Sequence, residues 1–160
     1  MPRLRLAVPL LLVLALATTA WGAVPRSLEG VVVRVVDGDT IHVRIAEGVE
    51  KVRYIGVNTP EVHHPRLHEQ PGGREAWDVN RRLVAGRRVR LELDVQARDR
   101  YGRLLAYVSR VGDAETVNAR LIEAGAARTL TIAPNTSLSA QLSALQHDAR
   151  AAGRGLWSAC

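Results

Sequence analysis

The sequence has no phenylalanine and only one cysteine and one methionine among its 160 residues, and aromatic residues of all kinds make up 4%. Because the only cysteine, Cys160, is the last residue, no disulfide can form within the chain, and stability must come from packing or from bound ligands. A thiol at an unconstrained end is also poorly placed to act as a catalytic nucleophile. Without phenylalanine, valine, leucine and isoleucine have to form the core.

The first 22 residues have the pattern of a signal peptide. Arg3 and Arg5 precede an apolar run from Leu6 to Ala20, which ends in small residues and predicts cleavage before Ala23. The alternative is an uncleaved membrane anchor, for which a run of about 15 residues is short. We therefore expect an exported protein, periplasmic or secreted, with no stable membrane association after cleavage.

Residues 23–160 show no repeat, low-complexity tract or linker, and their length suits one domain. The full chain has a formal net charge of +6. A modest positive excess fits a nucleic-acid partner but is also common in proteins that bind none. Charge alone therefore supports such a partner only weakly.

Two oxygen-rich turns follow neighbouring apolar runs. Residues 31–36, 41–45 and 52–57 are rich in β-branched side chains and predict three strands, with a tight hairpin at Asp-Gly. The turns are Asp37-Gly38-Asp39-Thr40 and Asn58-Thr59-Pro60-Glu61. If the strands pair antiparallel, both turns can lie at one rim of the sheet.

At that rim, the side chains of Asp39 and Asn58 and the Thr59 carbonyl would be hard oxygen donors beside Glu61, a set that suits calcium. Arg53 lies on the strand before the second turn, and Arg103 ends the segment Asp99-Arg100-Tyr101-Gly102-Arg103. Two guanidinium groups, a carboxylate and a hard cation would suit phosphodiester cleavage. Taken singly, each feature has a simpler interpretation: a hairpin turn, a helix start, or an arginine facing water.

Three histidines, His63, His64 and His68, lie in the segment 61–73, which has no apolar periodicity. Imidazoles at such short spacing could bind zinc. Without a cysteine partner or a regular element to hold them, a solvated loop is the preferred interpretation.

The rest of the chain contains both predicted strands and predicted helices. Strands are predicted at 88–93 and 104–109, and helices at 74–85, 116–124 and 137–152. The last helix has an apolar stripe behind a capping segment at 135–137; the stripe comprises Leu138, Leu142, Leu145, Ala149 and Ala152. Trp77 and Trp157 are expected to cover seams of the barrel. Five short strands and three helices in this order predict an α+β, mostly β fold: a five-stranded OB-fold barrel.

These motifs resemble those of the staphylococcal nuclease (thermonuclease) family, secreted calcium-dependent nucleases built on an OB-fold. The resemblance runs from about Leu28 to Trp157. It rests on Asp-Gly-Asp-Thr, on Thr-Pro-Glu, on Asp-Arg-Tyr-Gly-Arg followed by Leu-Leu-Ala-Tyr-Val, and on the closing Gly-Leu-Trp-Ser. It implies a monomeric nuclease that cleaves DNA and/or RNA with little sequence preference, single-stranded or frayed substrates being preferred.

The resemblance also implies roles for individual residues. Asp39, Asn58 and the Thr59 carbonyl would bind Ca²⁺, with Asp37 supporting the ion from behind these ligands. The remaining roles concern the substrate: Glu61 would orient or deprotonate the attacking water, Arg53 and Arg103 would hold the phosphate from two sides, and Tyr101 would contact a phosphate or sugar.

Three positions depart from the family pattern. Asn58 replaces an aspartate, which removes a charge from the calcium site, and Tyr54 replaces an aliphatic residue, a change we expect to be tolerated. The segment 130–134 lacks two tyrosines of the nucleotide pocket, which puts base stacking there in doubt. The alternative function is a nucleic-acid-binding OB-fold module with weak catalysis, against which the intact Arg53, Glu61 and Arg103 argue.

Overall fold

The computed structural model describes residues 26–62 and 70–158. The predicted signal peptide, the three histidines at 63, 64 and 68, and Cys160 lie outside the described residues, so the predictions made for them stay predictions.

Seven strands and three α-helices make up the described chain. In order, they are β1 Ser27–Asp37, β2 Thr40–Ile45, β3 Gly48–Tyr54, β4 Gly56–Asn58, α1 Gly73–Val84, β5 Arg88–Glu92, β6 Leu104–Arg110, α2 Val117–Glu123, β7 Arg128–Leu130 and α3 Ser139–Ala151, followed by a 3₁₀ helix, Gly155–Trp157. Among the described helices, none combines the length and the apolar character needed to cross a membrane.

Five of the strands close into a barrel in the order β1-β2-β3-β6-β5. The pairs are antiparallel except for β3 with β6, which run parallel with Arg53 opposite Leu105. The predicted five-stranded OB-like barrel with three helices is confirmed. Aliphatic residues fill the barrel, as the absence of phenylalanine requires; the buried ones include Ile41, Val43, Val52, Val89, Leu91, Leu104 and Val108.

The predicted third strand, 52–57, is not continuous. The backbone N–H of Ile55 donates to the Ala106 carbonyl at 3.0 Å, and the chain then leaves the barrel at Gly56, whose φ of +78° lies in the left-handed region that favours glycine. The next residues form β4, which pairs with β7 in a separate two-stranded sheet. Asn58, at the end of β4, therefore lies on this small sheet and not on the barrel.

Helix α1 is joined to the barrel by a fully buried asparagine. Asn80 accepts a hydrogen bond from the Tyr54 hydroxyl at 2.9 Å and donates to the Asp37 carbonyl at 2.9 Å. Trp77 on the same helix donates from Nε1 to the Val35 carbonyl at 3.4 Å, which agrees with its expected place over a seam. The helix thus holds the end of β1, where the first acidic turn begins.

Helix α2 is joined to the barrel in the same way. The buried Asn118 accepts from the Val108 N–H at 2.9 Å and donates to the Ile55 carbonyl at 2.7 Å. Because Ile55 lies between β3 and β4, this contact fixes the point at which the chain turns toward the second acidic turn.

Two predictions about α3 are wrong. Leu142 and Ala149 are buried as expected, but Ala152 is exposed, because it follows the last helical residue and lies beyond the packed face. The segment 135–137 does not cap the helix with a side chain. Asn135 instead exchanges two hydrogen bonds of 2.7 Å with the backbone of Gln96. Its side-chain amide therefore binds a residue distant in sequence and not the start of the helix.

Candidate active site

The two acidic turns are in contact. Asp37 pairs with Thr40 across a two-residue connection, Gly38-Asp39. A Cβ atom built at Gly38 would lie 2.7 Å from the side chain of Thr59, closer than real contacts allow, so the approach of the turns requires glycine. The structure therefore brings together the two turns that the sequence predicted at one rim.

Asp39 links the turns through its carboxylate. It is 4% exposed; its Oδ2 accepts from the Thr59 N–H at 3.0 Å, and its Oδ1 accepts from the Thr40 hydroxyl at 3.1 Å. The Asp39 carbonyl accepts from the Tyr54 N–H at 3.0 Å. Asp39 is thus held by the barrel on one side and by the second turn on the other.

Arg53 lies beside this carboxylate with its side chain 13% exposed. Its Nη2 lies 3.1 Å from Asp39 Oδ2 and donates to Asn58 Oδ1 at 3.3 Å. Its Nη1 donates to the carbonyls of Tyr54 and Val57 at 2.9 Å, on either side of the kink at Gly56. The simpler interpretation of Arg53 as a strand residue facing water is wrong, since its guanidinium group is fixed between the two turns.

The carboxylates near the turns repel one another. Burial raises the pKa of the Asp37 carboxyl well above its usual range, and the charge of Asp39 adds to this, with a smaller contribution from Glu61. The hydrogen bond from the Asp39 N–H to Asp37 Oδ1, at 3.2 Å, acts in the opposite direction. A cation at this rim would relieve the repulsion.

The donor set fits a hard cation. In residues 26–62 and 70–158, no three His, Cys, Asp or Glu side chains are grouped so that they could hold a metal by themselves. A site here would therefore need the neutral oxygens of Asn58 and of the Thr59 carbonyl beside Asp39. Carboxylate, amide and carbonyl oxygens are the ligands that calcium takes in proteins.

The backbone of Glu61 is fixed by residues that the sequence analysis did not identify. Its N–H donates to Gln70 Oε1 at 3.0 Å, and its carbonyl accepts from the Gln70 N–H at 2.9 Å. A Cβ atom at Gly73 would lie 2.8 Å from the Glu61 carbonyl oxygen, so α1 begins against this residue. The Gly72-Gly73 pair after Pro71 was the available signal for such a close approach.

Both predicted phosphate-binding arginines line one cavity of about 490 Å³, here called the cleft. The Asp99 carboxylate orients Arg103, accepting from its Nε at 2.7 Å and from its backbone N–H at 3.0 Å. Tyr101 is 67% exposed, and the guanidinium carbons of Arg100 and Arg103 lie 4.8 and 5.4 Å from its ring centroid. The cleft thus has positive charge on two walls and one exposed aromatic ring.

The wall contributed by the segment 130–134 is aliphatic. Leu130, Ile132 and Ala133 line the cleft there, and Leu130 and Ile132 are exposed. No aromatic side chain is present on this wall, so stacking on a base is left to Tyr101.

Comparison with known proteins identifies the family. A family model described as "Staphylococcal nuclease homologue" matches residues 51–159, well over half of the chain. The chain belongs to the staphylococcal nuclease family. The match includes Arg53, Asn58, Glu61 and Arg103 but begins after the first acidic turn.

Three relatives illustrate the breadth of this nuclease family. The thermonuclease of Staphylococcus hyicus is 41% identical over 127 residues, which cover 79% of this chain and 74% of that protein. The thermonuclease of Staphylococcus intermedius is 39% identical over 132 residues, covering 82% and 77% respectively. An uncharacterized endonuclease of Escherichia coli is 35% identical over 145 residues, covering 91% and 87%. The chain is therefore a thermonuclease-type hydrolase of nucleic-acid phosphodiester bonds.

Proposed function

We propose that this nuclease requires calcium and hydrolyses DNA and/or RNA with little sequence preference. The observation that carries the proposal is the contact between the two acidic turns around the guanidinium group of Arg53. Asp39, Asn58 and the Thr59 carbonyl would hold the ion, and Asp37 would support it without contacting it directly. When bound, calcium would act as a Lewis acid that neutralises charge on a phosphate oxygen.

The two arginines of the cleft act on the phosphate. Arg53 presents a guanidinium group from one wall, where it can exchange its contacts with Asp39 and Asn58 for phosphate oxygens. Arg103, held by Asp99, presents a second from the other wall and stabilises the charge that develops on the leaving 5′-oxygen. Tyr101 contacts a phosphate or sugar at the open side of the cleft.

Glu61 activates the water. The water oxygen forms a bond to phosphorus, and the water proton passes to the Glu61 carboxylate. The bond to the 5′-oxygen breaks, and that oxygen takes a proton from solvent to leave as a hydroxyl. One structural feature supports this role: contacts with Gln70 and Gly73 fix the Glu61 backbone next to the second acidic turn.

Other properties of the protein are inferred from the sequence pattern. A single strand or a frayed end suits a cleft with one exposed ring, because the bases must be accessible there. The pattern of residues 1–22 supports export to the periplasm or the medium, and we expect a monomer.

Digestion of single-stranded DNA with calcium and with chelator tests the metal requirement. Glu61→Gln should lower kcat by at least about 10²-fold, because loss of a general base typically costs 10²–10⁴-fold, while DNA binding in chelator stays nearly unchanged. Glu47→Gln, in the exposed β2–β3 turn, is the matched control. Digestion that is insensitive to chelator would exclude the calcium requirement, and near-normal turnover of Glu61→Gln would remove Glu61 from the mechanism.

A further inference from the structure

The small sheet β4–β7 connects the cleft to a second depression. Arg128 and Leu130 both lie on the exposed face of β7. Arg128 pairs with Asn58 of β4, and Leu130 pairs with Gly56. Leu130 and Gly56 line the cleft, whereas Arg128 and Asn58 line a neighbouring cavity of about 280 Å³. Two residues along a strand span roughly 6–7 Å. The second depression therefore begins where the cleft ends, on the metal-binding side.

Arg128 and a second arginine, Arg150, both lie over the ring of Trp157. The guanidinium carbons of Arg128 and Arg150 lie 5.3 and 4.9 Å from the ring centroid of Trp157. Such cation–π contacts hold flexible arginine side chains in place. We call Arg128, Trp157 and Arg150 the basic strip.

In residues 26–62 and 70–158, no carboxylate pairs with the arginines of the basic strip. Arg128 and Arg150 are exposed, and within the part of the chain that the structure describes neither lies within 4.0 Å of a carboxylate oxygen. Arg154, near the same end of the molecule, differs: its Nη1 lies 4.0 Å from Glu123 and donates to the Glu123 carbonyl at 3.1 Å. Two exposed cations beside a nuclease cleft, with no carboxylate partner among the described residues, form a surface complementary to a polyanion.

We propose that the basic strip binds backbone phosphates of the substrate strand beyond the cleaved bond, so that this nuclease binds long single strands better than short ones. The inference rests on the proposed function of the cleft. Phosphates are favoured over bases because guanidinium groups already occupy positions over the Trp157 ring, which leaves charge as the available interaction. Such contacts are independent of base sequence.

The first test measures binding without turnover. In chelator, the affinity of a 12-nucleotide single strand is measured across a range of salt concentrations for the wild type and for the double variant Arg128→Gln/Arg150→Gln. Each phosphate contact on a single strand contributes about 0.7 to the slope of log K against log salt, so the slope should fall by about 1.4. Arg154→Gln is the control and should keep the wild-type slope.

The second test measures the dependence on substrate length with calcium present. The ratio of kcat/KM for the 12-nucleotide strand to that for a dinucleotide should fall at least about tenfold in the double variant. Arg128→Lys/Arg150→Lys, which keeps both charges, should retain most of the wild-type ratio. Thermal unfolding of each variant shows whether the fold is intact.

The outcomes separate the two proposals. An unchanged salt slope together with an unchanged length ratio would show that the basic strip is only solvated surface. A loss of kcat/KM that is equal for the 12-nucleotide strand and the dinucleotide would assign Arg128 to the cleft itself. If the wild type failed to cleave with calcium, the proposed function would fail, yet the salt slope in chelator would still decide whether the strip binds the strand.

Discussion

Asn58 places a neutral amide where a carboxylate would carry charge, and this sets the expected strength of the calcium site. Its Oδ1 accepts from Arg53 Nη2, the same nitrogen that contacts Asp39 Oδ2. Because calcium affinity follows ligand charge, Asn58→Asp should tighten calcium binding to the free protein by about tenfold, or 1.4 kcal/mol. Calorimetric titration of calcium into both proteins measures the difference.

Asn58→Ala serves as the matched control, since it removes the oxygen without adding charge, and it should weaken calcium binding. If both variants bound calcium as the wild type does, Asn58 would not be a ligand, and the proposed donor set would have to be redrawn around Asp39 and the Thr59 carbonyl.

Tyr54 has a structural role through its hydroxyl. The residue is buried, its burial raises the pKa of the phenol, and the hydroxyl donates to Asn80 Oδ1 at 2.9 Å. Tyr54→Phe leaves that buried oxygen without its donor, which should lower the free energy of unfolding by about 1–3 kcal/mol. Urea unfolding measures the change. Tyr101→Phe, at an exposed ring, should stay within about 0.5 kcal/mol of the wild type, and an equally small effect at Tyr54 would contradict the role assigned to its hydroxyl.

At the scale of elements, the chain shows which features short-range pattern can predict. Apolar periodicity and the Asp-Gly turn are local signals. They predict the hairpin strands, the later strands and helices, and the meeting of the two acidic turns. The break between β3 and β4 was not predicted, because the valine and isoleucine on either side of Gly56 continue the strand pattern. Only the tertiary contact of Ile55 with Asn118 and the pairing of β4 with β7 explain it.

The same limit applies to the candidate site. Arg53, Asn58 and Glu61 could be identified from sequence, but the contacts that hold them could not. Asn80 and Gln70 are polar residues with no local pattern, and their partners lie elsewhere in the sequence or on backbone atoms. Arg53 was open to misinterpretation for a related reason, since strand alternation does not reveal that the kink brings two carbonyls to its guanidinium group.

The segment before α3 depends on one carboxylate. Asp94 accepts from the Ser137 N–H at 3.1 Å and from the Tyr107 hydroxyl at 3.3 Å. Burial acts to raise the pKa of Asp94, but the hydrogen bonds from Ser137, Val95 and Tyr107 outweigh it, and the pKa lies below its usual range. A carboxyl group with a depressed folded-state pKa stabilises the fold above its unfolded pKa, and this stabilisation is lost as the pH falls through the folded-state value.

Asp94→Asn should therefore be less stable than the wild type at neutral pH, and the difference should shrink as the pH falls below the ordinary aspartate value of about 3.9. Urea unfolding of both proteins at a series of pH values measures it, with Glu47→Gln as an exposed control. A difference that stayed constant down to the lowest pH would show that the carboxylate charge does not anchor this segment.

For the molecule as a whole, the arrangement of polar groups predicts how substrates are distinguished. The cations of the cleft and the basic strip suit contacts with backbone phosphates, whereas the cleft offers few free groups to a base. Its two amide side chains are engaged elsewhere, Asn135 with the backbone of Gln96 and Gln96 Nε2 with the Arg98 carbonyl at 2.7 Å. The opposite wall is aliphatic, and Tyr101 can stack on any base.

Affinity should therefore depend steeply on salt and little on sequence. Single strands of equal length but different base composition, measured in chelator, should bind within about tenfold of one another, or 1.4 kcal/mol, while raising the salt concentration weakens all of them in parallel. The slope of log K against log salt should be steeper for the wild type than for a variant lacking Arg53 and Arg103, because each lost phosphate contact removes about 0.7 from the slope. A spread wider than tenfold between strands at one salt concentration would require a base-reading contact, and Gln96, whose side chain borders the cleft, would be the first residue to replace.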